Sequence, residues 1–221
     1  MKSSEIKYLV LKEGCPFIAG GILLAILGWA GGGGWLGIPF TVVAVWVVAF
    51  FRNPPRVIPT GEGLIISPAD GTVTEIVETV DPYRQVPARK LSVFMSAFNV
   101  HLNRAPIAGT VESVRYAKGE FRPAWDGDSS EHNERNAILL KDPQGRSLTC
   151  VQVAGIMARR IICYIKDGAR VERGVPIGLI RFGSRVDLYF PKNVIIKVRS
   201  GDKVKGGSSV LAVWKTPQGG G

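Results

Sequence analysis

GARVERG at residues 168–174 has the same frame as GDKVKGG at residues 201–207, 33 positions later. Both segments read G-x-x-V-x-x-G. Glycine takes the positive φ angles that tight turns need, and side chains alternate between the two faces of a strand. We therefore expect each segment to form a tight turn, a short strand with an inward-facing valine, and a second turn.

A second pair of matching segments precedes the first. PADGTV at residues 68–73 matches PIAGTV at residues 106–111, 38 positions later. Short runs rich in Val and Ile surround these segments and are bounded by Gly, Pro, Asp and Asn, which is typical of strands and turns. KDPQGR at residues 141–146 is a predicted hairpin turn. The stretch from Arg159 to Lys166 is ambiguous, because its ICYI run fits either a strand or a short helix. These patterns predict a mainly antiparallel β domain.

The G-x-x-V-x-x-G frame resembles the turns of biotinyl- and lipoyl-type barrel-sandwich domains. The fold class expected from this resemblance is a barrel-sandwich-like antiparallel β domain. The resemblance concerns a supersecondary unit and carries no function by itself. Those carriers present a lysine within a short motif at a hairpin tip, and this sequence lacks that motif.

The N-terminal part is strongly apolar. No charged residue occurs between Cys15 and Phe51, and four glycines at residues 31–34 divide this stretch into two arms. Each arm would be roughly 25 Å long as a helix, slightly short of the ~30 Å hydrocarbon core of a bilayer. We predict a helical membrane hairpin within a domain at residues 1–56, followed by a β domain at residues 57–221. A shallow re-entrant hairpin remains an alternative to a full double span.

Charged residues around the hairpin predict its orientation. Lysines precede the first arm, Arg52 and Arg56 follow the second, and the glycine turn carries no charge. The positive-inside rule therefore places both termini, and the β domain, on the cytoplasmic side of the cell membrane. A signal peptide is disfavoured because a second apolar arm follows the first.

The overall composition excludes several classes. The chain has a net charge of +10 and a mean hydropathy of +0.15, which fits a basic domain joined to an apolar segment. A basic domain beside a membrane segment favours anionic phospholipids as partners. No nucleic-acid-binding motif is present, so nucleic acid is not expected. Three cysteines without a C-x-x-C pair argue against a disulfide scaffold or a zinc ribbon, and we predict no metal site.

Few residues are candidates for acid–base or nucleophilic chemistry. The two histidines are His101, at a strand end, and His132, in a polar loop. Asp70 lies in SPADG and Ser184 in FGSRVD. Taken singly, each of these residues fits an ordinary structural role in a strand, turn or loop.

Taken together, the motifs indicate a family. SPADG (67–71), FNVHLNRAP (98–106) and FGSRVD (182–187) occur in that order, with NERN (133–136) and QVAG (152–155) between the last two. This set resembles the phosphatidylserine decarboxylase family, specifically its short type with a membrane hairpin, along the whole chain. The resemblance implies a pyruvoyl-dependent carboxy-lyase of phospholipid biosynthesis that converts phosphatidylserine to phosphatidylethanolamine and CO2.

The resemblance also implies residue roles. The proenzyme would break between Gly183 and Ser184 into a β chain (1–183) and an α chain (184–221), which remain together as a heterodimer or as a higher oligomer built from it. Ser184 would become the pyruvoyl cofactor, whose ketone forms a Schiff base with the substrate amine. In the triad that the family implies, His101 acts as the base and Asp70 orients it.

One position departs from the family pattern. Phe98 stands where longer members often have an additional histidine. The phosphate ligands are therefore open, and the side chains considered for that role are Asn99, Asn103, Arg104 and Arg135. Phe94, Met95 and Phe98 could line an acyl groove, but core positions are expected for all three.

Two other functions fit the residues. A membrane-anchored adaptor or carrier of the barrel-sandwich type would use the repeated turns without any chemistry. A membrane serine hydrolase would use the same Asp, His and Ser but would leave the chain intact.

Overall fold

The computed structural model describes residues 9–119, 133–155, 160–181 and 183–215. Contacts divide the chain into one compact unit at Ile6–Pro55 and another that contains Arg56–Gly221.

The N-terminal unit is a helical hairpin, as predicted. Its helix, α1 (Cys15–Phe50), breaks at Gly33, where φ is 53° and ψ is −143°. This conformation favours glycine, so the reversal falls within the glycine run. Beyond the break the chain runs back along the first arm. Trp29 Nε1 donates a hydrogen bond to Thr41 Oγ1 at 3.2 Å.

Glycines at seven-residue spacing let the two arms approach closely. A Cβ added at Gly21 would lie 3.3 Å from the Cα of Ala44, and one added at Gly28 would lie 2.8 Å from the Phe40 ring. Small residues at such a seam are typical of helices that pack within membranes. The outer faces of both arms expose leucine, isoleucine and valine. The helix is long and apolar enough to cross a membrane, which is a hint of membrane association.

The second unit is built from strands, which confirms the predicted mainly β fold. Ile161–Cys163, within the stretch that the sequence left ambiguous, is a strand. The strands are β1 (Leu64–Ile66), β2 (Gly71–Asp81), β3 (Val86–Met95), β4 (Leu102–Arg104), β5 (Gly109–Ala117), β6 (Arg135–Lys141), β7 (Ser147–Ala154), β8 (Ile161–Cys163), β9 (Arg170–Val171), β10 (Pro176–Ile180), β11 (Ser184–Pro191), β12 (Val194–Ile196), β13 (Lys203–Val204) and β14 (Val210–Trp214).

The largest sheet has eight strands in the order β13-β2-β3-β11-β7-β6-β5-β9, and its two halves repeat each other. β2 pairs with β3 and β13, and β5 pairs in the same way with β6 and β9. A bulge lies between Val73 and Glu75 in β2, and another lies between Val111 and Ser113 in β5. The segments that match at a distance of 38 residues in the sequence therefore occupy equivalent places in the sheet.

The two three-stranded sheets repeat each other as well. β14 lies between β1 and β12, and β10 lies between β4 and β8. Strands β1–β3 and β11–β14 thus form one copy of a seven-stranded motif, called here the outer copy. Strands β4–β10 form a second copy, called the inner copy, which is inserted in the chain between β3 and β11.

The two G-x-x-V-x-x-G segments occupy equivalent places in the two copies. The glycines that bound them all have positive φ: Gly168 (76°), Gly174 (84°), Gly201 (95°) and Gly207 (82°). The valines between them, Val171 and Val204, are each only 5% exposed. The predicted unit of turn, inward valine and turn is confirmed in both copies.

Candidate active site

Ser184 is the first residue of β11 and lies in the middle of the large sheet. It pairs with Met95 of β3 on one side and with Ala154 of β7 on the other. Its side chain is completely buried, and its Oγ has no hydrogen-bond partner among the residues that the structure describes. A buried hydroxyl without a partner costs stability, so such a group needs a reason other than folding.

The residue before it has an unusual backbone. Gly183 has a φ of 60°, in the left-handed region that favours glycine. A Cβ added there would meet no heavy atom of the described residues within 4 Å. The glycine is therefore required by its backbone conformation and not by lack of space.

His101 is also completely buried and directly precedes β4. Its Nδ1 lies 3.0 Å from the backbone oxygen of Asn99. A carbonyl oxygen can only accept a hydrogen bond, so Nδ1 carries a proton, and in the neutral form of the ring Nε2 holds the lone pair. The backbone oxygen of His101 accepts a hydrogen bond from Ile180, at the end of β10, four residues before Ser184.

Asp70 lies between β1 and β2 among cationic groups. Its carboxylate accepts two hydrogen bonds from Arg56 Nη2, at 2.9 and 2.8 Å, and one from the backbone N–H of Gly206 at 2.8 Å. Burial, followed by repulsion from Arg56, lowers the pKa of nearby Arg104 to about 10, and the charge of Asp70 opposes this shift. The hydrogen bonds described for the carboxylate thus go to Arg56 and Gly206, and its orientation of His101 stays a prediction.

The three predicted residues lie at one end of the large sheet. Phe94 of β3 pairs with Thr72 of β2, and the next residue of β3, Met95, pairs with Ser184. Asp70 directly precedes β2, so it lies at the same end as Ser184, on the other side of β3. The loop that follows Met95 leads to His101.

Three buried amide side chains connect β4 to this end of the sheet. Asn136 Nδ2 donates to Gln152 Oε1 at 2.9 Å, and Gln152 Nε2 donates to Asn103 Oδ1 at 2.8 Å. Asn103 Nδ2 in turn lies 3.7 Å from the sulfur of Met95, the residue that pairs with Ser184. The network fixes the strand that begins directly after His101 against β6 and β7.

Comparisons with known proteins agree with this arrangement. Residues 43–212 match the family described as phosphatidylserine decarboxylase. The chain is 44% identical, over 92% of its length and 95% of the relative's, to the phosphatidylserine decarboxylase proenzyme of Cupriavidus taiwanensis. It is 45% identical to the proenzyme of Burkholderia pseudomallei over 92% of this chain and 94% of the relative. The protein of the same name from Nitrosomonas eutropha is 43% identical over 94% of this chain and 96% of the relative.

The chain belongs to the phosphatidylserine decarboxylase family. This confirms the resemblance found in the sequence, and the family is one of decarboxylases made as proenzymes. The comparisons give no support to the alternative of a non-enzymatic adaptor or carrier. The amide network also explains two motifs of the family pattern, NERN and QVAG. Asn136 and Gln152 hydrogen bond to each other, and Asn133 Nδ2 donates to the oxygen of Ala154 at 2.7 Å.

Gln152 and Asn136 are functional candidates that the sequence did not single out as site residues. Gln152 lies between Val151 and Val153 in a strand that is buried along nearly its whole length. A polar side chain that alternates with buried valines needs a buried partner. This sequence pattern indicates that Gln152 has a buried polar partner, but it does not identify that partner.

Other residues of FGSRVD have a structural role in the family fold. Arg185 and Asp187 lie on the opposite face of β11 from Ser184, because side chains alternate along a strand. Both are buried and form an ion pair, with Arg185 Nε 3.0 Å from Asp187 Oδ1. Burial, together with the charge of Asp187, raises the pKa of Tyr189 on the same face.

The four side chains considered as phosphate ligands all make structural contacts. Asn99 Oδ1 accepts hydrogen bonds from the backbone N–H and the hydroxyl of Ser96. Asn103 belongs to the amide network, and Arg104 Nη1 donates to the oxygen of Gly174 at 2.9 Å. Arg135 interacts with Tyr83. A role for any of them toward a phosphate stays a prediction.

The three apolar candidates for an acyl groove differ in exposure. Met95 is part of the core, as expected, and Phe94 is half-buried. The expectation of a core position is wrong for Phe98, which is 76% exposed. His132 and Phe182 lie outside the described residues. Within the described ranges, no group of three or more His, Cys, Asp or Glu side chains could hold a metal ion.

Proposed function

We propose that this chain is a proenzyme that cuts itself between Gly183 and Ser184 and then decarboxylates phosphatidylserine to phosphatidylethanolamine. It would be a pyruvoyl-dependent carboxy-lyase. The observation that carries the proposal is the buried Ser184 hydroxyl, which has no hydrogen-bond partner among the described residues and follows a glycine with positive φ.

Self-cleavage needs a base and an accessible carbonyl. His101 Nε2 accepts the proton of the Ser184 hydroxyl, and Oγ attacks the carbonyl carbon of Gly183. The peptide C–N bond breaks as the ester bond forms, so residue 184 gains a free amine. β-Elimination then releases the carboxylate of Gly183 and leaves a dehydroalanine at 184. Water converts this residue to a pyruvoyl group with the loss of ammonia. Gly183 suits the reaction because its own side chain cannot shield the carbonyl.

The surroundings of Ser184 fit a pyruvoyl group. Met95 and Ala154, which pair with it, are apolar and buried, so the position is dry. A pyruvoyl group supplies an electrophilic carbonyl that binds the substrate amine and accepts the electron pair released with CO2. His101 Nε2, once protonated, can return a proton to the substrate carbon. Asp70 is proposed to hold His101 in its orientation. Arg56 and the N–H of Gly206 in turn hold the Asp70 carboxylate in place.

The domain division belongs to the same proposal. Residues 1–56 anchor the protein in the cell membrane, and residues 57–221 act on its cytoplasmic side. The partners are phosphatidylserine, anionic phospholipids around it, and the two chains 1–183 and 184–221 of the cut protein. A lipid substrate in the anchoring membrane is consistent with the basic charge of the chain.

Denaturing gels with intact mass measurement test the proposal. The wild-type protein should run as two pieces, and the smaller piece should lack a free N-terminal amine. Ser184→Ala should leave one intact chain. Ser147→Ala, at the start of the neighbouring strand β7, is the matched control and should be cut like the wild type.

The purified wild type should also release CO2 from phosphatidylserine. A Ser184→Ala chain that is still cut at 183/184 would overturn the proposal. Labelling of Ser184 by a fluorophosphonate in an uncut wild-type chain would overturn it in favour of a serine hydrolase.

A further inference from the structure

A short turn next to the candidate site holds an aromatic side chain outward. Phe98 is 76% exposed and lies in the loop between β3 and His101. The backbone N–H of Asn99 donates to the oxygen of Ser96 at 3.0 Å, and Asn99 Oδ1 accepts hydrogen bonds from the N–H and hydroxyl of Ser96 at 2.9 and 2.8 Å. Three hydrogen bonds thus close the turn around Phe98. These bonds hold the backbone that carries the exposed ring.

The turn is part of the site. The backbone oxygen of Asn99 is the partner of His101 Nδ1. Any movement of the turn would therefore move the predicted base. The ring of Phe98 is displayed three residues away from His101, at the end of the sheet where Ser184 lies.

Exposed residues also border the site on the side of Asp70. Val57 is 87% exposed and directly follows Arg56, whose guanidinium binds Asp70. Lys205 is exposed and directly precedes Gly206, whose N–H also binds Asp70. We call Val57, Phe98 and Lys205 the site rim. Phe98 lies three positions before His101. Val57 and Lys205 lie next to Arg56 and Gly206, the two residues that bind Asp70.

We propose that the site rim contacts the interface of a phospholipid bilayer, with Phe98 and Val57 among the acyl chains and Lys205 at the headgroups. Aromatic and aliphatic side chains beside lysine are the composition of surfaces that lie in membrane interfaces. A basic side chain at the rim also attracts anionic lipids. The purpose of the contact rests on the proposed function, because a lipid substrate could then reach the buried site without passing through water.

The opposite end of β3 provides a matched control surface. Val80 is 52% exposed and pairs with Pro87 near the start of β3. Met95, which precedes the Phe98 turn, is eight residues further along the strand. At about 3.3 Å per residue, the two ends lie roughly 25 Å apart. A bilayer that contacts the site rim would leave Val80 in water.

Spin labels locate the surface without any need for activity. Phe98→Cys and Val80→Cys are made in the full chain with Ser184→Ala, Cys15→Ser and Cys163→Ser. Cys150 stays because it is completely buried, and burial raises the pKa of its thiol. The labelled proteins are reconstituted in vesicles of phosphatidylcholine and phosphatidylglycerol. The label at 98 should be relaxed more by oxygen than by an aqueous nickel complex, and the label at 80 should show the reverse. A label at 98 that favours the nickel complex would overturn the proposal.

Turnover then separates a bilayer contact from a contact with the substrate headgroup. Val57→Ser should lower turnover of phosphatidylserine in vesicles about tenfold, since the full burial of one valine among acyl chains is worth about that much. It should leave turnover of a short-chain, monodisperse phosphatidylserine unchanged, and Val80→Ser should affect neither. Equal losses on both substrates would overturn the bilayer contact. A wild type without decarboxylase activity would contradict the proposed function and leave the spin-label result standing.

Discussion

The outer and inner copies share a backbone plan but differ at one join. In the inner copy, a tight turn joins β6 to β7. Gly145 in this turn has a φ of 81°, and its N–H donates a hydrogen bond to the backbone oxygen of Asp142 at 3.0 Å. In the outer copy, β3 and β11 pair in the same way, but the whole inner copy lies between them in the chain. Gly183, with a φ of 60°, occupies the place of Gly145. The proposed cut thus falls where an ordinary hairpin turn has been opened.

The side chains at the equivalent places of the two copies differ in chemical character. Ser184 corresponds to Arg146, whose Nε forms an ion pair with Asp142 Oδ2 at 2.6 Å. Asp70, in the outer copy, corresponds to Ala108 in the inner one. The inner copy therefore has an ion-paired arginine and an alanine where the outer copy has the predicted site residues Ser184 and Asp70. The fold thus supplies the same backbone geometry twice, and the proposed site depends on a few side chains that only one of the two places has.

The largest effect is expected at His101, the proposed base, which lies between β3 of the outer copy and β4 of the inner copy. His101→Gln removes the base while keeping a polar side chain. Self-cleavage should slow by about 10²- to 10⁴-fold, the usual contribution of a general base. The rate is measured from the fraction of uncut chain on denaturing gels over time. Circular dichroism should show an unchanged fold, and cleavage at the wild-type rate would remove His101 from the mechanism.

Gly71 and Gly109 test whether the two copies really are equivalent. A Cβ at Gly71 would lie 2.0 Å from the oxygen of Phe94, and one at Gly109 would lie 2.2 Å from the oxygen of Lys141. Each Gly→Ala change should therefore cost about 3 kcal/mol of unfolding free energy. Urea unfolding in detergent measures this cost. Gly20→Ala is the control. A Cβ added at Gly20 would meet no neighbouring heavy atom within 4 Å, so this change should cost little. Clearly unequal losses at 71 and 109 would break the equivalence.

Asp70 and Ala108 form the next matched pair. Asp70→Asn removes the charge that faces Arg56 and should cost about 2 kcal/mol of unfolding free energy, because a charged hydrogen bond is lost. It should also slow self-cleavage if the carboxylate orients His101. Ala108→Asp places a carboxylate at the equivalent point and should leave cleavage unchanged. Gel time courses and urea unfolding are compared for both proteins. A cleavage defect in Ala108→Asp but not in Asp70→Asn would contradict the role proposed for Asp70.

The smallest effects are expected at the two turn glycines. Gly183→Ala and Gly145→Ala should each cost about 1 kcal/mol, because alanine is strained at positive φ. Only Gly183→Ala should slow self-cleavage, by a few-fold, since its carbonyl is the one attacked. Precursor stability is measured in the Ser184→Ala background and cleavage in the active chain. Slower cleavage in Gly145→Ala would show that the two joins are coupled.

Local chemistry could be predicted from the sequence, and non-local pairing could not. The positive φ angles at Gly168 and Gly201 follow from turn chemistry, and the hairpin reversal follows from a glycine run between uncharged arms. The two sequence repeats were visible, but the sequence did not reveal that one copy is inserted in the other. That arrangement depends on pairings such as Met95 with Ser184, which are far apart in the sequence and which no local pattern specifies.

The candidate site was predictable only in part. Asp70, His101 and Ser184 were identified because their motifs resemble a family, since each one alone fits an ordinary turn or strand. The contact of His101 Nδ1 with the oxygen of Asn99 could not be predicted, because every residue has a backbone oxygen and the sequence does not show which one contacts the ring. The exposure of Phe98 depends on how its turn closes. A phenylalanine between Ala97 and Asn99 is expected in the core until that turn is known.

The insertion of the inner copy changes how the processed protein would unfold. In the precursor, one chain closes the loop between β3 and β11, and its unfolding is unimolecular. After the cut at 183/184, strands β11–β14 belong to a separate chain that completes the outer copy. Refolding then requires two molecules to meet, so the free energy of unfolding gains a dependence on protein concentration. Dilution should lower the melting temperature of the processed protein and leave that of the Ser184→Ala precursor unchanged.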